Sequence, residues 1–203
     1  MFAGIVSSGK VVAAERRRGL RLAVDLGPQA RHVQVGDSVA VNGICLTAIK
    51  RRGKDVAFEV MPETLSRTTV GSAKRGDRVN VELSLRLADR IGGHLVMGHI
   101  DGVGTVQRIE RDGKYLKLWI AAPRSLTSLM VAKGAVALDG VSMTVVDVLP
   151  RSFSVCLIPA TRTITTLGQK QVGDQVNIEA DLMGKYVQAA LAAAAPRRAP
   201  KRA

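Results

Sequence analysis

The chain has 203 residues, 46% hydrophobic and 3% aromatic, and its 30 Lys and Arg against 17 Asp and Glu give a formal net charge of +13. That apolar content excludes wholesale disorder, and no apolar run approaches the roughly 18–20 residues that span a bilayer. Two cysteines, Cys45 and Cys156, are too few for a disulfide framework or a Cys-rich zinc site.

In chain order, the start Met1-Phe2-Ala3-Gly4-Ile5-Val6 has no charged leader before an apolar core, so a cytoplasmic protein without metal or secretory signal is expected. Arg16–Arg18 and Lys50–Arg52 read as turn positions between strands. A short helical turn is expected near Pro28–His32. The Asn42-Gly43 and Asp139-Gly140 pairs read as tight hairpin turns, as does Gly36-Asp37. Val79–Leu83 alternates apolar and polar residues, as a half-buried strand does, and the first copy of the repeat described below is expected to end near Leu87–Ile91. Lys117–Ile120 and Phe153–Ile158 also read as strands, with a helical turn over Ala122–Met130 between them. Asp181–Ala195 has high helix propensity, with Asp181 as N-cap and Pro196 as stop. Leu182, Tyr186, Ala189 and Ala193 fall on one side of that helix, which suits oligomerisation. The basic residues 196–203 read as a disordered tail.

The charge does not mark a nucleic-acid binder. Residues 1–95 carry a net +7 and residues 96–203 a net +6, so the excess is spread over both halves. A single-strand binder would gather charge on one face and add stacking aromatics.

An internal repeat organises the sequence. Shifted by 97 residues, 39–82 lies over 136–179 without a gap, with 14 of 44 pairs identical. The N-terminal edge repeats more weakly at a shift of 95, which sets Gly4 over His99 and Gly9 over Gly104. A period this long means two similar domains in tandem rather than a solenoid. The fold class is therefore mainly β, two small closed barrels followed by a helix. The domains are 1–91, 92–180, the helix 181–195 and the tail 196–203.

Differences between the copies carry the chemistry. Cys45 lies over Ser142, Asn42 over Asp139, and Gly4 over His99. On this alignment the first pocket offers a thiol, and the second an acid, a hydroxyl and an imidazole, the natural proton-transfer group near neutral pH.

The start Met1–Val6, Asn42–Thr47, Gly92-Gly93-His94-Leu95-Val96-Met97-Gly98-His99-Ile100-Asp101, Asp139–Thr144 and Thr165–Gly168 together resemble the alpha-type riboflavin synthase family, over residues 1 to about 188. The resemblance implies two six-stranded barrels and a C-terminal helix, in a homotrimer. It implies that two molecules of 6,7-dimethyl-8-ribityllumazine exchange a four-carbon unit, giving riboflavin and 5-amino-6-ribitylamino-uracil without cofactor or metal. It also places each active site between barrels of neighbouring subunits, and association with lumazine synthase is a further partner expectation.

The family's binding segments map onto this chain as follows. In the first barrel they are Gly4, Ile5 and Val6, then Cys45, Leu46 and Thr47, then Glu59, Val60, Met61, Pro62, Glu63 and Thr64. In the second they are Gly98, His99 and Ile100, then Lys133, then Ser142, Met143 and Thr144, then Cys156, Leu157, Ile158, Pro159, Ala160 and Thr161. Backbone groups in strand-edge loops suit the uracil-like edge of a lumazine. The catalytic candidates are His99, Cys45, Ser142, Asp139 and Thr144. His99 and Ser142 are expected to take the proton from the C7 methyl group, with Asp139 orienting them and Lys133 stabilising the anion. Cys45 is expected to activate the other ring. Ala3 and Ala160 depart from the family pattern. The alternative reading is a non-catalytic lumazine- or flavin-binding protein on the same fold.

Overall fold

The computed structural model describes residues 1–16 and 19–194. Its strands are β1 (Ser7–Arg16), β2 (Leu20–Asp25), β3 (Ser38–Val41), β4 (Ile44–Arg52), β5 (Asp55–Val60) and β6 (Arg78–Leu83), then β7 (Gly102–Asp112), β8 (Tyr115–Ala121), β9 (Ala135–Leu138), β10 (Val141–Leu149), β11 (Ser152–Leu157) and β12 (Gln175–Ala180). The α-helices are α1 (Pro62–Arg67), α2 (Arg124–Thr127), α3 (Pro159–Ile164) and α4 (Leu182–Ala194). Each set of six strands closes into an antiparallel barrel. The order is β1-β2-β5-β4-β3-β6 in the first and β7-β8-β11-β10-β9-β12 in the second. Closure leaves no free sheet edge. Bulges after Val11 in β1 and after Val106 in β7 add the twist a small barrel needs, and β4 and β10 shift register after Ala48 and Val145.

The alternating strands point one face inward, so each barrel has its own core. With few aromatics available, Val, Leu and Ile fill most of the space. The first core holds Val56 and Phe58; at the matching positions the second holds Phe153 and Val155, all fully buried. Exchanging the large and small residue between neighbouring inward positions conserves volume, which is the repacking a core tolerates best.

The third phenylalanine, Phe2, sits between the barrels with Ala40, Val96 and Ala137. The Phe2 N–H donates to Val96 O at 2.7 Å, and the Val96 N–H donates to Phe2 O at 3.0 Å. The two hairpin turns also meet there. Asn42 and Asp139 both have φ of 44°, and Gly43 and Gly140 have φ of 79° and 80°, as a type I′ turn requires. A Cβ on Gly43 would come 2.6 Å from Gly140 N, and one on Gly140 2.7 Å from Gly43 N. Two asparagines bridge the seam reciprocally. Asn80 Nδ2 donates to Asp139 O and Asn177 Nδ2 to Asn42 O, both at 2.9 Å. Asn80 Oδ1 accepts from Thr166 N and Asn177 Oδ1 from Thr69 N, both at 2.8 Å. The barrels are thus related by a local twofold axis.

The segments preceding β1 and β7 cross this axis, which corrects their assignment by sequence. Gly4–Val6 lie on the second barrel, where Ser142 N donates to Gly4 O at 2.9 Å and Val6 packs on the second core. Gly98–Ile100 lie on the first, where Cys45 N donates to Gly98 O at 2.9 Å and Ile100 packs on the first core. The alignment changes too. Glu82 accepts from Ala3 N and Gly4 N, and Glu179 from Met97 N and Gly98 N, so Gly4 matches Gly98 and His99 matches Ile5. The shift is 94 in these segments and 95 in β1 and β7, with Asp101 as the extra residue. Its carboxylate accepts from Ala180 N at 2.9 Å and pairs with Lys185 at 2.7 Å.

Other expectations resolve locally. Lys50–Arg52 belong to β4 rather than to a turn. A 3₁₀ turn spans Gly27–His32, and α2 falls inside the expected helical turn. The helices α1 and α3, each with Pro at its first position, are new. Asp181 caps α4 by accepting from Met183 N at 3.1 Å. Arg17, Arg18, Ala195 and residues 196–203 lie outside the described residues. Among the described residues no helix is long and apolar enough to cross a membrane.

Asn80→Ala removes two buried hydrogen bonds and orphans Thr166 N and Asp139 O. It should cost about 2–4 kcal/mol of stability, read from the urea unfolding midpoint.

Candidate functional site

Each barrel carries a cleft where one strand, one short helix and one crossing segment meet. In the first, β4 supplies Ile44 and Cys45, α1 supplies Glu63, Thr64 and Arg67, and the crossing segment supplies Gly98, His99 and Ile100. The space enclosed is about 170 Å³. Cys45 is half-buried and His99 exposed, both on the cleft wall. Gly98 is glycine for two reasons: its φ is +79°, and a Cβ there would stand 2.6 Å from Cys45 Cβ. Glu63 pairs with Arg67 on the same helix and gives this rim its charge.

The second cleft repeats the plan with different chemistry. Ser142 on β10 takes the place of Cys45, Gly4 that of Gly98, and Ile5 that of His99. The rim helix α3 carries Ala160 and the half-exposed Ile164 where α1 carries Glu63 and Arg67. The imidazole that His99 was expected to supply here comes from His94. His94 Nδ1 and Ser142 Oγ share a hydrogen bond of 2.7 Å. His94 Nε2 is buried without a hydrogen-bond partner among the described residues. Burial lowers the imidazole pKa below its ordinary value, opposed by the nearby Asp181 charge. A neutral ring protonated on Nε2 leaves Nδ1 free to accept the Ser142 proton.

The structure therefore divides the sequence-predicted catalytic residues. Cys45 and His99 come together in the first cleft. Ser142 stands apart from them with His94, and Thr144 follows on the exposed side of β10. Asp139 belongs to neither cleft, which corrects its expected role of orienting His99 and Ser142. It is buried at the seam, where Oδ1 accepts from Asn177 N at 2.8 Å and Oδ2 pairs with Lys170 at 2.9 Å. Burial pushes its carboxyl pKa up, against the Lys170 charge and the hydrogen bond from Asn177. The matching pair in the first copy is Asn42 and Ala73, so Asp139 and Lys170 form a local ion pair at a position where the first copy is neutral.

Of the wider binding set, Leu46, Val60, Met143 and Leu157 point into the barrel cores. Only their backbones can face a ligand. Thr47 and Thr144 are exposed on matching strands, and Thr64 and Thr161 are half-buried on matching helices. Glu59, Met61 and Pro62 are exposed where β5 runs into α1; Cys156, Ile158 and Pro159 are exposed where β11 runs into α3. Lys133 is exposed before β9, with its N–H donating to Val145 O, beside Thr144. Ala3 is buried; its carbonyl accepts from His94 N at 3.2 Å, which puts it by the second cleft rather than the first.

Sequence reasoning missed His94, Glu82 and Glu179. The glutamates had a visible signal, because they match in the gapless block. His94 had only its place in the Gly92-Gly93-His94 run, with no counterpart before Met1.

The lumazine binding domain family model matches residues 3–84 and 97–181. Riboflavin synthase from Chlamydia trachomatis serovar D is 43% identical over 188 residues, 91% of this chain and 92% of that protein. Riboflavin synthase from Bacillus subtilis strain 168 is 35% identical over 189 residues, 92% of this chain and 88% of that protein. The crystal structure of LumP with 6,7-dimethyl-8-(1'-D-ribityl) lumazine matches with a TM-score of 0.80 at 25% identity, covering 89% of this chain and 99% of that one. The LumP complex with riboflavin matches with a TM-score of 0.82.

The His94 environment has a stability signature. Its folded pKa lies below the unfolded value of 6.5, so the unfolded chain binds the proton more readily. Its linked contribution is unpenalised above pH of about 6.5 and turns unfavourable as pH falls below that. His94→Gln should flatten this part of the stability profile, measured as urea midpoints from pH 8 down to pH 5 in both proteins.

Proposed function

Because the chain belongs to the riboflavin synthase family and carries two lumazine-binding domains, we propose that its two clefts each hold one 6,7-dimethyl-8-ribityllumazine and join them. One ring gives a four-carbon unit to the other, yielding riboflavin and 5-amino-6-ribitylamino-uracil. Two substrate molecules contain every atom of the two products, so the exchange balances without an outside oxidant or reductant. The observation that carries the reading is a pair of clefts built alike and equipped differently. Equal architecture suits two copies of one substrate, and unequal chemistry suits a donor and an acceptor.

In this mechanism the lumazine at the second cleft loses a C7-methyl proton to Ser142, whose own proton is drawn toward His94 Nδ1. The electron pair left on that carbon is delocalised into the ring and then forms the bond to the second lumazine. That acceptor lies at the first cleft, where Cys45 and His99 activate its ring and return a proton. Lys133, beside Thr144, stabilises the anion. Thr47, Thr64, Thr144 and Thr161 offer hydroxyls to ring heteroatoms and ribityl groups. Holding the two rings face to face supplies up to about 7–11 kcal/mol of the acceleration in the ideal case.

The active unit in this reading is a homotrimer. A cleft of about 170 Å³ is smaller than the roughly 300 Å³ at which pockets begin to bury a ligand of this size, so a neighbouring barrel supplies the opposite wall. Met183, Tyr186, Val187 and Leu191 of α4 are exposed by half or more, an apolar stripe that matching helices would cover. Two free thiols, one of them exposed, suit a reducing cytoplasm.

Purified protein incubated with the lumazine should develop riboflavin absorbance, whereas a carrier would bind the lumazine and leave it unchanged. Cys45→Ser and His99→Ala should each lower turnover with lumazine binding still measurable; parental turnover in both would remove their roles. The mass in solution should be three times the 21.6 kDa of one chain. Tyr186→Glu combined with Leu191→Glu should reduce it to one chain and abolish turnover.

A further inference from the structure

Glu82 ends in a carboxylate that accepts from two consecutive backbone N–H groups, Ala3 at 2.7 Å and Gly4 at 3.0 Å. Glu179 does the same for Met97 at 2.7 Å and Gly98 at 2.9 Å. Both side chains are almost fully buried, at 8% and 2% exposure. Burying a carboxylate is costly, and a neutral side chain would pack in β6 or β12 at lower cost. What the carboxylate alone provides is two acceptor atoms set side by side for adjacent amides.

The amides it holds do not serve its own barrel. Glu82 stands on the last strand of the first barrel, yet the Gly4 it holds accepts the Ser142 N–H of the second. A Cβ on Gly4 would stand 2.6 Å from Ser142 Cβ. Glu179 stands on the last strand of the second barrel, yet Gly98 accepts the Cys45 N–H of the first. In both cases the chain runs from the carboxylate through one glycine to the residue that carries the cleft's chemistry. The same construction occurs twice in one molecule with different reactive side chains at its end.

We propose that Glu82 and Glu179 are positioning residues that act across the barrels, each fixing the reactive side chain in the cleft of the barrel it does not belong to. Glu82 places Ser142, and Glu179 places Cys45. The identification of these clefts with lumazine sites rests on the function proposed above; the crossed placement does not.

The test uses Glu82→Gln and Glu179→Gln in the full chain. Glutamine keeps the shape and one acceptor but turns a donor toward the second amide. In Glu82→Gln the Ser142 amide should exchange hydrogen about tenfold faster or more, with the Cys45 amide at the parental rate. Glu179→Gln should do the reverse. Lumazine titrations followed by NMR at the same two amides should show weakened binding only at the cleft opposite the substituted barrel. Glu82→Asp and Glu179→Asp, which keep the charge and shorten its reach, carry the same test where a glutamine variant does not fold. A variant that perturbs its own barrel's reactive residue, perturbs both equally, or perturbs neither overturns the proposal. If the parental protein binds no lumazine, the functional reading fails while amide exchange still decides the crossed placement.

Discussion

A carboxylate gripping two adjacent backbone amides is the contact on which the arrangement of this molecule turns. Residues 1–6 and 92–101 belong to no barrel strand apart from the bridge between Phe2 and Val96. They take a fixed path because Glu82 and Glu179 hold their amides in a buried setting. Burial raises the pKa of both glutamates, and the hydrogen bonds from the amides pull the other way. The donors are therefore what keeps a charged group tolerable there. Without them each barrel would still close, since its ladders are complete. The clefts would lack a wall.

The same contact explains how one chain carries two related clefts with unrelated chemistry. Crossing the segments over a local twofold axis gives each barrel a wall encoded elsewhere in the sequence. The reactive residue on the strand and the imidazole on the segment can then vary independently. At the first cleft the result is Cys45 with an exposed His99. At the second it is Ser142 with a buried His94. Asp139 and Lys170 show that asymmetry alone does not mark a reactive residue. They replace Asn42 and Ala73 at the seam, where a buried ion pair meets the hydrogen-bonding needs of the turn.

Local signals were strong where local physics decides. The Asn-Gly and Asp-Gly turns need left-handed backbone and few residues adopt it cheaply, so both hairpins were legible. Strand alternation reported the inward face of Val79–Leu83 and of its copy. The helix over Asp181 onward followed from composition and a capping side chain. By contrast α1 and α3 are single turns too short for a periodic pattern, and only Pro62 and Pro159 hinted at them. The edge of the repeat failed for a similar reason. Asp101 is one inserted residue in a weakly similar stretch, and a slip of one moved His99 from its true partner Ile5 to Gly4.

The sequence by itself determined that this is a duplicated β-barrel of the riboflavin synthase family, and that Cys45 and Ser142 occupy matching places. Periodicity, turn chemistry and repetition are local or self-comparing properties, and they survive being read along a line. Only the tertiary structure decided which barrel each crossing segment serves, that His94 rather than His99 meets Ser142, and that Asp139 lies at the seam. Those facts depend on contacts between residues as far apart as Gly4 and Ser142, made by backbone groups that every residue type possesses, so no side-chain pattern announces them.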